Sequence, residues 1–382
     1  MIYLDNNATT CLSEGVKKCI RDNLDLYANP SSLYKESKEA AEKILSARKS
    51  VAKLINAPYE DILFTGCATE SNNTVFCTCC NSTKFSQPHI IVSAVEHSAI
   101  LETAKYYEKY HNIQLTILPV DSFGRIDENK LVSAIQDNTV LVSIMLVNNE
   151  IGNIYPIKDY VKAVKKKNPY TLFHTDATQA IGKMLVDISA LGVDFLTLSG
   201  HKFHAPKGVG ALYVKNLKDF KDFVPFMKGG HQENSHRAGT ENILSILAMG
   251  VAAEETKAFC SYDLIAQLRD EIESKICAFK AIPVRIIGDT EHRSCNTSCV
   301  LYQGISGIDI CNMINSIADV CISSGSACNS VELKPSHVMN ALNIDGIPIR
   351  ISLSRYTTKD EINKFCNALF MTINKLKQGV NK

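Results

Sequence analysis

The stretch LTLSGHKFHAPKGVGALYV, residues 196–214, places a lysine between two apolar strands. Lys202 follows the strand LTLS, and Ser199, Gly200 and His201 lead from that strand into it. A lysine that is buried at a strand end can lose its proton and form an imine with an aldehyde cofactor. The alternative, a surface lysine in a glycine-rich turn, stays open on this stretch alone.

The lysine stretch closes a long region, from residue 60 to about 215, in which short apolar segments alternate with helical patterns. The apolar segments are ILFTG (62–66), HIIVSAV (89–95), QLTILPV (114–120), TVLVSIMLV (139–147), TLFHTD (171–176), DFLTLS (194–199) and GALYV (210–214). Strands that alternate with helices predict an α/β domain with a largely parallel sheet. Such sheets bind ligands at the carboxyl ends of their strands. The candidate site residues are therefore the polar residues that follow the apolar segments.

The last third of the chain has a different pattern. A long amphipathic helical segment, YDLIAQLRDEIESKICAF (262–279), precedes the short strands VRIIGD (284–289), TSCVLYQ (297–303) and PIRISLS (348–354). Strands and helices that are segregated in this way indicate an α+β arrangement. The sequence therefore predicts a second, smaller α+β domain that begins near residue 256.

Composition restricts the class of protein. The chain has 382 residues, of which 45% are hydrophobic and 21% charged, and its formal net charge is +1. These values are ordinary for globular proteins, and the balanced charge gives no indication of a nucleic-acid or membrane partner. The start MIYLDNNATT lacks the apolar region of a signal peptide, and the longest apolar run, VLVSIMLV (140–147), is too short to span a bilayer. We therefore expect a soluble, cytoplasmic protein.

The chain contains 14 cysteines. Without a secretion signal, a chain of this length is expected to keep them as reduced thiols. The densest group is FCTCC, with Cys77, Cys79 and Cys80, and it lacks the CxxC spacing of a zinc site. A metal or redox role for these three thiols remains the alternative.

The segment FHTDATQAIG, residues 173–182, places an acid at the end of an apolar strand. The carboxylate of Asp176 could pair with a protonated pyridine nitrogen, which is how pyridoxal phosphate is kept a good electron sink. Gln179, three residues on, could donate to the phenolic oxygen of that cofactor. The alternative is that Asp176 caps the N-terminus of a helix that starts here.

Two further motifs follow strands. In TGCATESNN (65–73), Gly66, Ala68 and Thr69 lead into a helix, whose first N–H groups could hold an anion such as a phosphate; plain helix capping is the alternative. In SAVEHSAI (93–100), His97 could stack on a flat ring or carry a proton near neutral pH. A lone histidine is more often structural.

Asn148, Asn149 and Glu150 follow a third strand, in LVNNEIG (146–152), where an amide could contact a cofactor or a substrate carboxylate. Turn chemistry is the alternative, since asparagine is common in turns. Arg350, in PIRISLS, could bind a carboxylate through a bidentate pair of N–H donors, and an ordinary ion pair is its alternative.

The segment ISSGSACNS, residues 322–330, carries a single thiol, Cys328, among small polar residues. These neighbours predict an exposed loop over about 322–334 rather than a packed core. An accessible thiolate is a strong nucleophile, so Cys328 is a candidate for covalent chemistry.

Together these motifs resemble one family, the cysteine desulfurases of the NifS/IscS type within the class V, fold-type I pyridoxal-phosphate enzymes. The motifs that carry the resemblance run in order from residue 3 to residue 358: YLDNNATT, YANPSSLY, TGCATESNN, VEH, NNEIG, HTDATQAIGK, SGHKFHAPKGVGALY, GGHQENSHRAGTENI, SSGSACNS and IRISLSRYTT. The resemblance implies a large domain over 14–255 with a mostly parallel sheet. It also implies a small domain, formed by 1–13 and 256–382, that carries the cysteine loop.

The resemblance also implies a role for each candidate residue. Lys202 is expected to be the imine lysine, and Cys328 the nucleophile that receives sulfur. Asp176 is expected to pair with the pyridinium nitrogen, Gln179 to donate to the phenolic oxygen, and His97 to stack on the ring and transfer protons. The phosphate is expected to be held by the backbone of Ala68 and Gly200 together with Thr69, Ser199 and His201, and Thr240 is expected to contact the phosphate of a neighbouring subunit. Asn149 and Arg350 are expected to orient the substrate carboxylate and the cofactor.

The implied activity is the removal of sulfur from L-cysteine, which gives L-alanine and a persulfide on Cys328. The implied partners are a second copy of the chain and a sulfur-acceptor protein, for example an iron–sulfur scaffold, with Cys328 as a transient iron–sulfur ligand. A selenocysteine lyase, another pyridoxal-phosphate transferase and a non-enzymatic thiol or zinc protein remain the alternatives. The acid-rich tail with which relatives bind scaffolds is absent after the last helix, so the scaffold contact stays open.

Overall fold

The computed structural model describes residues 1–81, 85–325 and 334–380, and for 379 and 380 the backbone alone. The predicted nucleophile Cys328 and most of the predicted loop 322–334 lie outside the described residues.

The larger sheet of the described chain has seven strands in the order β2–β8–β7–β6–β5–β3–β4. Its strands are β2 (Ile62–Thr65), β3 (His89–Ser93), β4 (Gln114–Leu118), β5 (Thr139–Ser143), β6 (Leu172–Asp176), β7 (Phe195–Ser199) and β8 (Gly210–Val214). The pairs from β4 to β7 are parallel, whereas β8 runs antiparallel to both β7 and β2. The predicted α/β class with a largely parallel sheet is therefore confirmed.

Helices cover this sheet and connect its strands. They are α1 (Glu14–Asp22), α2 (Lys35–Leu54), α3 (Ala68–Asn81), α4 (Ser98–Tyr110), α5 (Glu128–Ala134), α6 (Ile157–Lys167), α7 (Ile188–Leu191) and α8 (Ile243–Ala258). Small residues allow α2 and α8 to cross closely, because a Cβ placed on Gly250 would lie 2.7 Å from the Cα of Ala47. A larger side chain at position 250 would force these two helices apart.

A second, smaller sheet follows in the chain. It is antiparallel, in the order β12–β10–β9. The elements of this part are α9 (Tyr262–Ala278), β9 (Val284–Ile286), β10 (Thr297–Tyr302), α10 (Gly307–Ala318), β11 (Val320–Cys321), α11 (His337–Ala341), β12 (Ile349–Ser352) and α12 (Lys359–Val380). The N-terminal strand β1 (Ile2–Tyr3) pairs with β11, so the start of the chain runs beside this part.

Three hydrophobic clusters accompany the two sheets, one with the smaller sheet and two with the larger. The cluster of the smaller sheet contains Leu4 together with residues between Ile265 and Ile373, and the clusters of the larger sheet draw mainly on residues 16–253. The domain boundaries 14–255 and 256–382 stay a prediction. No helix among the described residues is long and apolar enough to cross a membrane.

Candidate active site

A cavity of about 280 Å³ lies where β3, β5, β6 and β7 end, beside β12 of the smaller sheet. The predicted site residues that line it are Ala68, Thr69, His97, Asn149, Asp176, Gln179, Ser199, His201, Lys202 and Arg350. They come from six places in the sequence, and the shared edge of the parallel strands brings most of them together. A larger cavity of about 1000 Å³, beside Val284 and Tyr302, is lined by none of the predicted site residues that the structure describes.

Lys202 ends a short 3₁₀ turn directly after β7 and lines the cavity. Its Nζ donates to the backbone oxygens of Asn7, at 2.7 Å, and Ala8, at 2.8 Å. Gly200 lets this turn fold tightly, because an added Cβ would lie 3.0 Å from side-chain atoms of both Ala205 and Val209. Hydrogen bonds to two backbone carbonyl groups therefore hold the amine within the pocket, and these are bonds that a reacting amine can leave.

Asp176 is the last residue of β6 and is 5% exposed. Its Oδ2 accepts a hydrogen bond from Nδ2 of Asn72, at 2.9 Å, and its Oδ1 accepts one from the backbone N–H of Thr178. The alternative interpretation as a helix cap is wrong, because turns follow β6 and the next helix begins at Ile188. The aspartate caps a turn instead, and its carboxylate lies on the cavity wall.

His97 caps a helix and also lines the cavity. It is the N-cap of α4, where its Nδ1 accepts a hydrogen bond from the backbone N–H of Ala99 at 3.1 Å. Burial lowers the pKa of this imidazole, and nearby Lys202 lowers it further, while Asp176 opposes the shift. Since Nδ1 is an acceptor, the proton of the neutral ring resides on Nε2.

One end of the cavity suits an anion. The N-terminus of α3 brings Ala68 and Thr69 there, and Ser199 and His201 approach from the end of β7. His201 forms a hydrogen bond through Nδ1 with the hydroxyl of Thr9, at 3.1 Å. Burial, with smaller contributions from neighbouring lysines, lowers the pKa of His201 to about 4. Neutral donors and a helix N-terminus therefore face this end of the pocket.

The smaller sheet contributes Arg350, from β12, to the opposite side of the cavity. Its guanidinium is 2% exposed and donates from Nη2 to Asp5, at 2.7 Å, and from Nη1 to the backbone oxygen of Asn149, at 3.1 Å. Its Nε is buried and has no hydrogen-bond partner among the described residues. A cation that is held in place with an unused donor is suited to bind a carboxylate.

Comparisons with known proteins identify the family that carries this arrangement. The sequence profile of the class-V aminotransferases matches residues 2–365. The chain belongs to the class-V aminotransferase family. A cysteine desulfurase from Nostoc sp. is 38% identical over 390 residues, which cover 99% of this chain and 94% of that protein. The cysteine desulfurase NifS of Azotobacter vinelandii is 38% identical over 375 residues, which cover 95% and 90%.

Solved structures agree with this assignment. A NifS-like protein superimposes with a TM-score of 0.89 at 33% identity, and the match covers 98% of this chain and 99% of that one. Within the class-V aminotransferases, the chain therefore belongs to the cysteine desulfurases of the NifS and IscS type. The predicted resemblance and fold class are confirmed.

Class-V aminotransferases are pyridoxal-phosphate enzymes, and the pocket of this chain fits that cofactor. A lysine amine, a buried carboxylate and an anion-binding end line one cavity, in Lys202, Asp176 and the N-terminus of α3. Together these groups would supply an amine for the aldehyde, a partner for the ring nitrogen and donors for the phosphate.

Several residues of this class-V pocket were missed from the sequence. Asn7 donates from Nδ2 to Thr297 Oγ1, at 2.9 Å, and to the backbone oxygen of Asn149, so it joins the two sheets. Asn72 holds Asp176 from 104 residues away. Both lie inside motifs that carried the resemblance, YLDNNATT and TGCATESNN, and their presence there was the available signal.

Two buried acids that adjoin predicted site residues were given no role from the sequence. Glu96 precedes His97, and burial raises the pKa of its carboxyl to about 8. Glu150 follows Asn149, burial raises its pKa, and its Oε2 accepts a hydrogen bond from Ser336 Oγ at 2.6 Å. A Cβ on Gly325 would lie 3.5 Å from that same oxygen, so residues on both sides of the undescribed 326–333 approach Glu150.

Thr240 does not line the Lys202 cavity. It is exposed and lies in a separate cavity beside Thr65 and Gly66. Its expected contact with the phosphate site of a neighbouring subunit stays a prediction.

The thiols of FCTCC lie on α3. Cys77 and Cys79 are buried, and burial raises the pKa of Cys79 well above its ordinary value and that of Cys80 to about 12. Because the thiolate is the metal ligand and the nucleophile, these shifts disfavour a metal or redox role for both. Among the described side chains, metal-ligand spacing occurs in a different group, Asp289, Glu291 and His292, where Arg125 already binds Asp289.

Proposed function

We propose that this chain is a cysteine desulfurase that uses pyridoxal phosphate to transfer sulfur from L-cysteine to Cys328. The observation that carries the proposal is the pocket itself, in which Lys202, Asp176 and Arg350 line one cavity. The 36–40% identity to proteins named cysteine desulfurase supports the same activity. The enzyme is expected in the cytoplasm.

The cofactor, when bound, supplies an electron sink for charge that develops at the substrate's α-carbon. Asp176, fixed by Asn72, would pair with the ring nitrogen and keep that nitrogen protonated. His97 would contact the ring with its proton on Nε2, and Thr69, Ser199 and His201 would hold the phosphate. Gln179 would donate to the phenolic oxygen.

Arg350 and Asn149 orient the substrate carboxylate. Arg350 is well suited to this task because Asp5 and the Asn149 carbonyl fix its plane before the substrate arrives. Lys202, which lies within the same cavity, removes the α-proton of cysteine and later returns a proton to the product.

Cys328, as a thiolate, attacks the sulfur of the substrate. The bond between that sulfur and the β-carbon breaks, a sulfur–sulfur bond forms on Cys328, and the β-carbon receives a proton to complete alanine. The net reaction converts L-cysteine and one thiol into L-alanine and one persulfide, so it needs no external oxidant. The outer sulfur of the persulfide then passes to a sulfur-acceptor protein, such as one that assembles iron–sulfur clusters. During that assembly Cys328 could act as a transient ligand of the iron–sulfur cluster.

We further propose a homodimer, in which Thr240 of each chain reaches the phosphate site of the other. Thr240 is exposed and lies outside the Lys202 cavity of its own chain, which leaves it free to do so.

The test is to incubate the purified protein with pyridoxal phosphate and L-cysteine, and to measure alanine and the mass of the peptide that contains Cys328. We expect alanine and one added sulfur atom on that peptide. Parallel reactions with selenocysteine, and with alanine plus a keto acid, distinguish a selenocysteine lyase and an aminotransferase. A metal analysis distinguishes a zinc protein. No alanine from cysteine, with transamination or bound zinc in its place, would contradict the proposal.

A further inference from the structure

A second lysine lies buried directly behind the Lys202 pocket. Lys183 is in the turn region that follows β6, four residues after Gln179, and its side chain is 7% exposed. Its Nζ donates to the side-chain oxygen Oε1 of Gln179 and, at 2.9 Å, to Oδ1 of Asn7. The proposed reaction gives this lysine no role, and a buried amine is costly to retain.

Asn7 connects the two lysines. Its backbone oxygen accepts hydrogen bonds from Lys202 Nζ, at 2.7 Å, and from Gln179 Nε2, at 2.9 Å. Its side-chain oxygen accepts from Lys183 and from Nδ2 of Asn296, at 3.0 Å. Lys183, Gln179, Asn7 and Lys202 therefore form one hydrogen-bonded chain that ends at the pocket.

The donors and acceptors in this chain fix the orientation of the Gln179 amide. The Asn7 side chain cannot turn, because its Nδ2 already donates to Thr297 and to the Asn149 carbonyl, which leaves its oxygen facing Lys183. The backbone oxygen of Asn7 can only accept hydrogen bonds, so the atom of Gln179 that faces it is Nε2, and the amide oxygen faces Lys183 Nζ. The NH₂ group of Gln179 is consequently directed to the side of Asn7 O and Lys202.

The charge around Lys183 favours a neutral amine. Burial lowers its pKa well below the ordinary value, and Lys202 and Arg350 lower it further, while Cys295 opposes them. The other ionisable groups that line the pocket are Cys67, Asp176, His97 and His201. A neutral amine still donates hydrogen bonds, so Lys183 can orient Gln179 without placing a second positive charge beside Lys202.

We propose that Lys183 is a positioning residue, which holds the Gln179 amide with its N–H directed at the phenolic oxygen of bound pyridoxal phosphate. This inference rests on the proposed function. A donor to that oxygen withdraws negative charge from it, and this charge would otherwise stabilise the proton on the Lys202 nitrogen bonded to the cofactor. Lys183 thereby lowers the proton affinity of the Lys202 nitrogen in the holoenzyme.

The experiment is a pH titration of the visible absorbance of the holoenzyme, without substrate. Lys183→Met keeps the length of the side chain and removes its donors. We expect this variant to retain the visible band and to titrate with a pKa about one unit higher, which is a tenfold change in the protonation equilibrium. Lys158→Met, on the exposed face of α6, is the matched control and should titrate like the unchanged protein.

A double substitution tests whether Lys183 acts through Gln179. Gln179→Leu should raise the pKa of the visible band by a similar amount, and Lys183→Met should then add nothing to it. Lys183 has no positioning role if Lys183→Met titrates normally, or if its effect is undiminished in the Gln179→Leu background. If Lys183→Met does not fold, Gln179→Leu alone decides, because an unshifted titration there overturns the proposal.

The same titration distinguishes failure of the Lys183 role from failure of the proposed cysteine desulfurase activity. Absence of any visible band in the unchanged protein with added pyridoxal phosphate would contradict the proposed function and the inference together. A visible band and alanine formation from cysteine, with identical titrations of all variants, would contradict the inference alone.

Discussion

The two sides of the candidate pocket are built differently. On the side of the larger sheet, Asp176 ends a strand, His97 and Lys202 each follow one, and hydrogen bonds to neighbours in space hold all three. On the side of the smaller sheet, Arg350 is the residue that lines the cavity, and its neighbour in space Ser323 leads to Cys328. The first side is suited to hold a cofactor, and the second to bind a substrate and receive its sulfur.

This difference indicates that the reaction has two parts that substitutions can separate. In the proposed reaction, removal of the α-proton depends on groups of the larger sheet, whereas capture of sulfur depends on Cys328. A change on one side should therefore impair one part and leave the signature of the other measurable.

The largest effect of a change on the cofactor side is expected at Lys202. Lys202→Ala removes the proton carrier, and positioned acid–base groups contribute roughly 10²–10⁴-fold to rates, so alanine formation should fall by about that factor. Lys215→Ala, an exposed lysine just past β8, is the control and should be unaffected. Near-normal turnover of Lys202→Ala would remove this lysine from the proposed mechanism.

A smaller effect on the same side is expected at Asn72. Asn72→Leu leaves Asp176 Oδ2 without its side-chain donor, and loss of a buried hydrogen bond of this kind costs about 1–3 kcal/mol. We expect the rate of alanine formation to fall roughly five- to a hundredfold, with weaker binding of pyridoxal phosphate in equilibrium dialysis. Asn73→Leu, at the half-buried neighbouring position on α3, provides the comparison.

On the substrate side, Arg350→Leu should weaken binding of cysteine. The guanidinium donates charged hydrogen bonds, each worth about 1.5–3 kcal/mol, so KM should rise roughly ten- to a hundredfold. The visible absorbance of the cofactor should persist, because the cofactor contacts lie mainly on the other side. Arg355→Leu is the control, since Arg355 binds Glu255 and Thr256 and does not line the cavity. An unchanged KM would refute the assignment.

An effect on stability rather than on rate is expected at Glu96, where the two sides meet and Nε2 of His337 bonds to the Glu96 backbone oxygen. Burial raises the pKa of Glu96 to about 8 in the folded protein, so the folded state keeps a proton that the unfolded state loses. Glu96 therefore contributes stability that is fully present below its unfolded pKa and is lost as the pH rises towards 8, by at most about 1.4 kcal/mol per pH unit.

Glu96→Gln should flatten this decline of the free energy of unfolding between about pH 5 and 8, measured by urea denaturation. The exposed Glu102→Gln serves as the control. A decline of the same slope in Glu96→Gln would assign the pH dependence to other groups.

The sequence predicted the large-sheet side of the pocket well, for a physical reason. Lys202, Asp176 and His97 follow apolar strands, and parallel strands bring such ends to one edge whatever the details of packing. The resemblance added Arg350, which no local pattern distinguishes from an ordinary ion pair.

Asn7, Asn72 and Lys183 could not be predicted in the same way. Each acts on a residue through a specific side-chain contact, in the case of Asn7 and Lys202 across 195 residues of chain. Hydrophobic periodicity carries no information about such polar pairs, because they form only after the sheet has placed both partners. The antiparallel direction of β8 was likewise not visible in its apolar sequence, GALYV.

One experiment on Cys328→Ser tests most directly whether removal of the α-proton and capture of sulfur depend on different sides of the pocket. The variant, loaded with pyridoxal phosphate, is mixed with L-cysteine in heavy water, and two products are followed: cysteine that has exchanged its α-proton for deuterium, and alanine. The expected result is continued exchange at the α-carbon, with alanine and protein-bound persulfide abolished. Alanine formation at the normal rate, or loss of exchange together with alanine, would contradict the account.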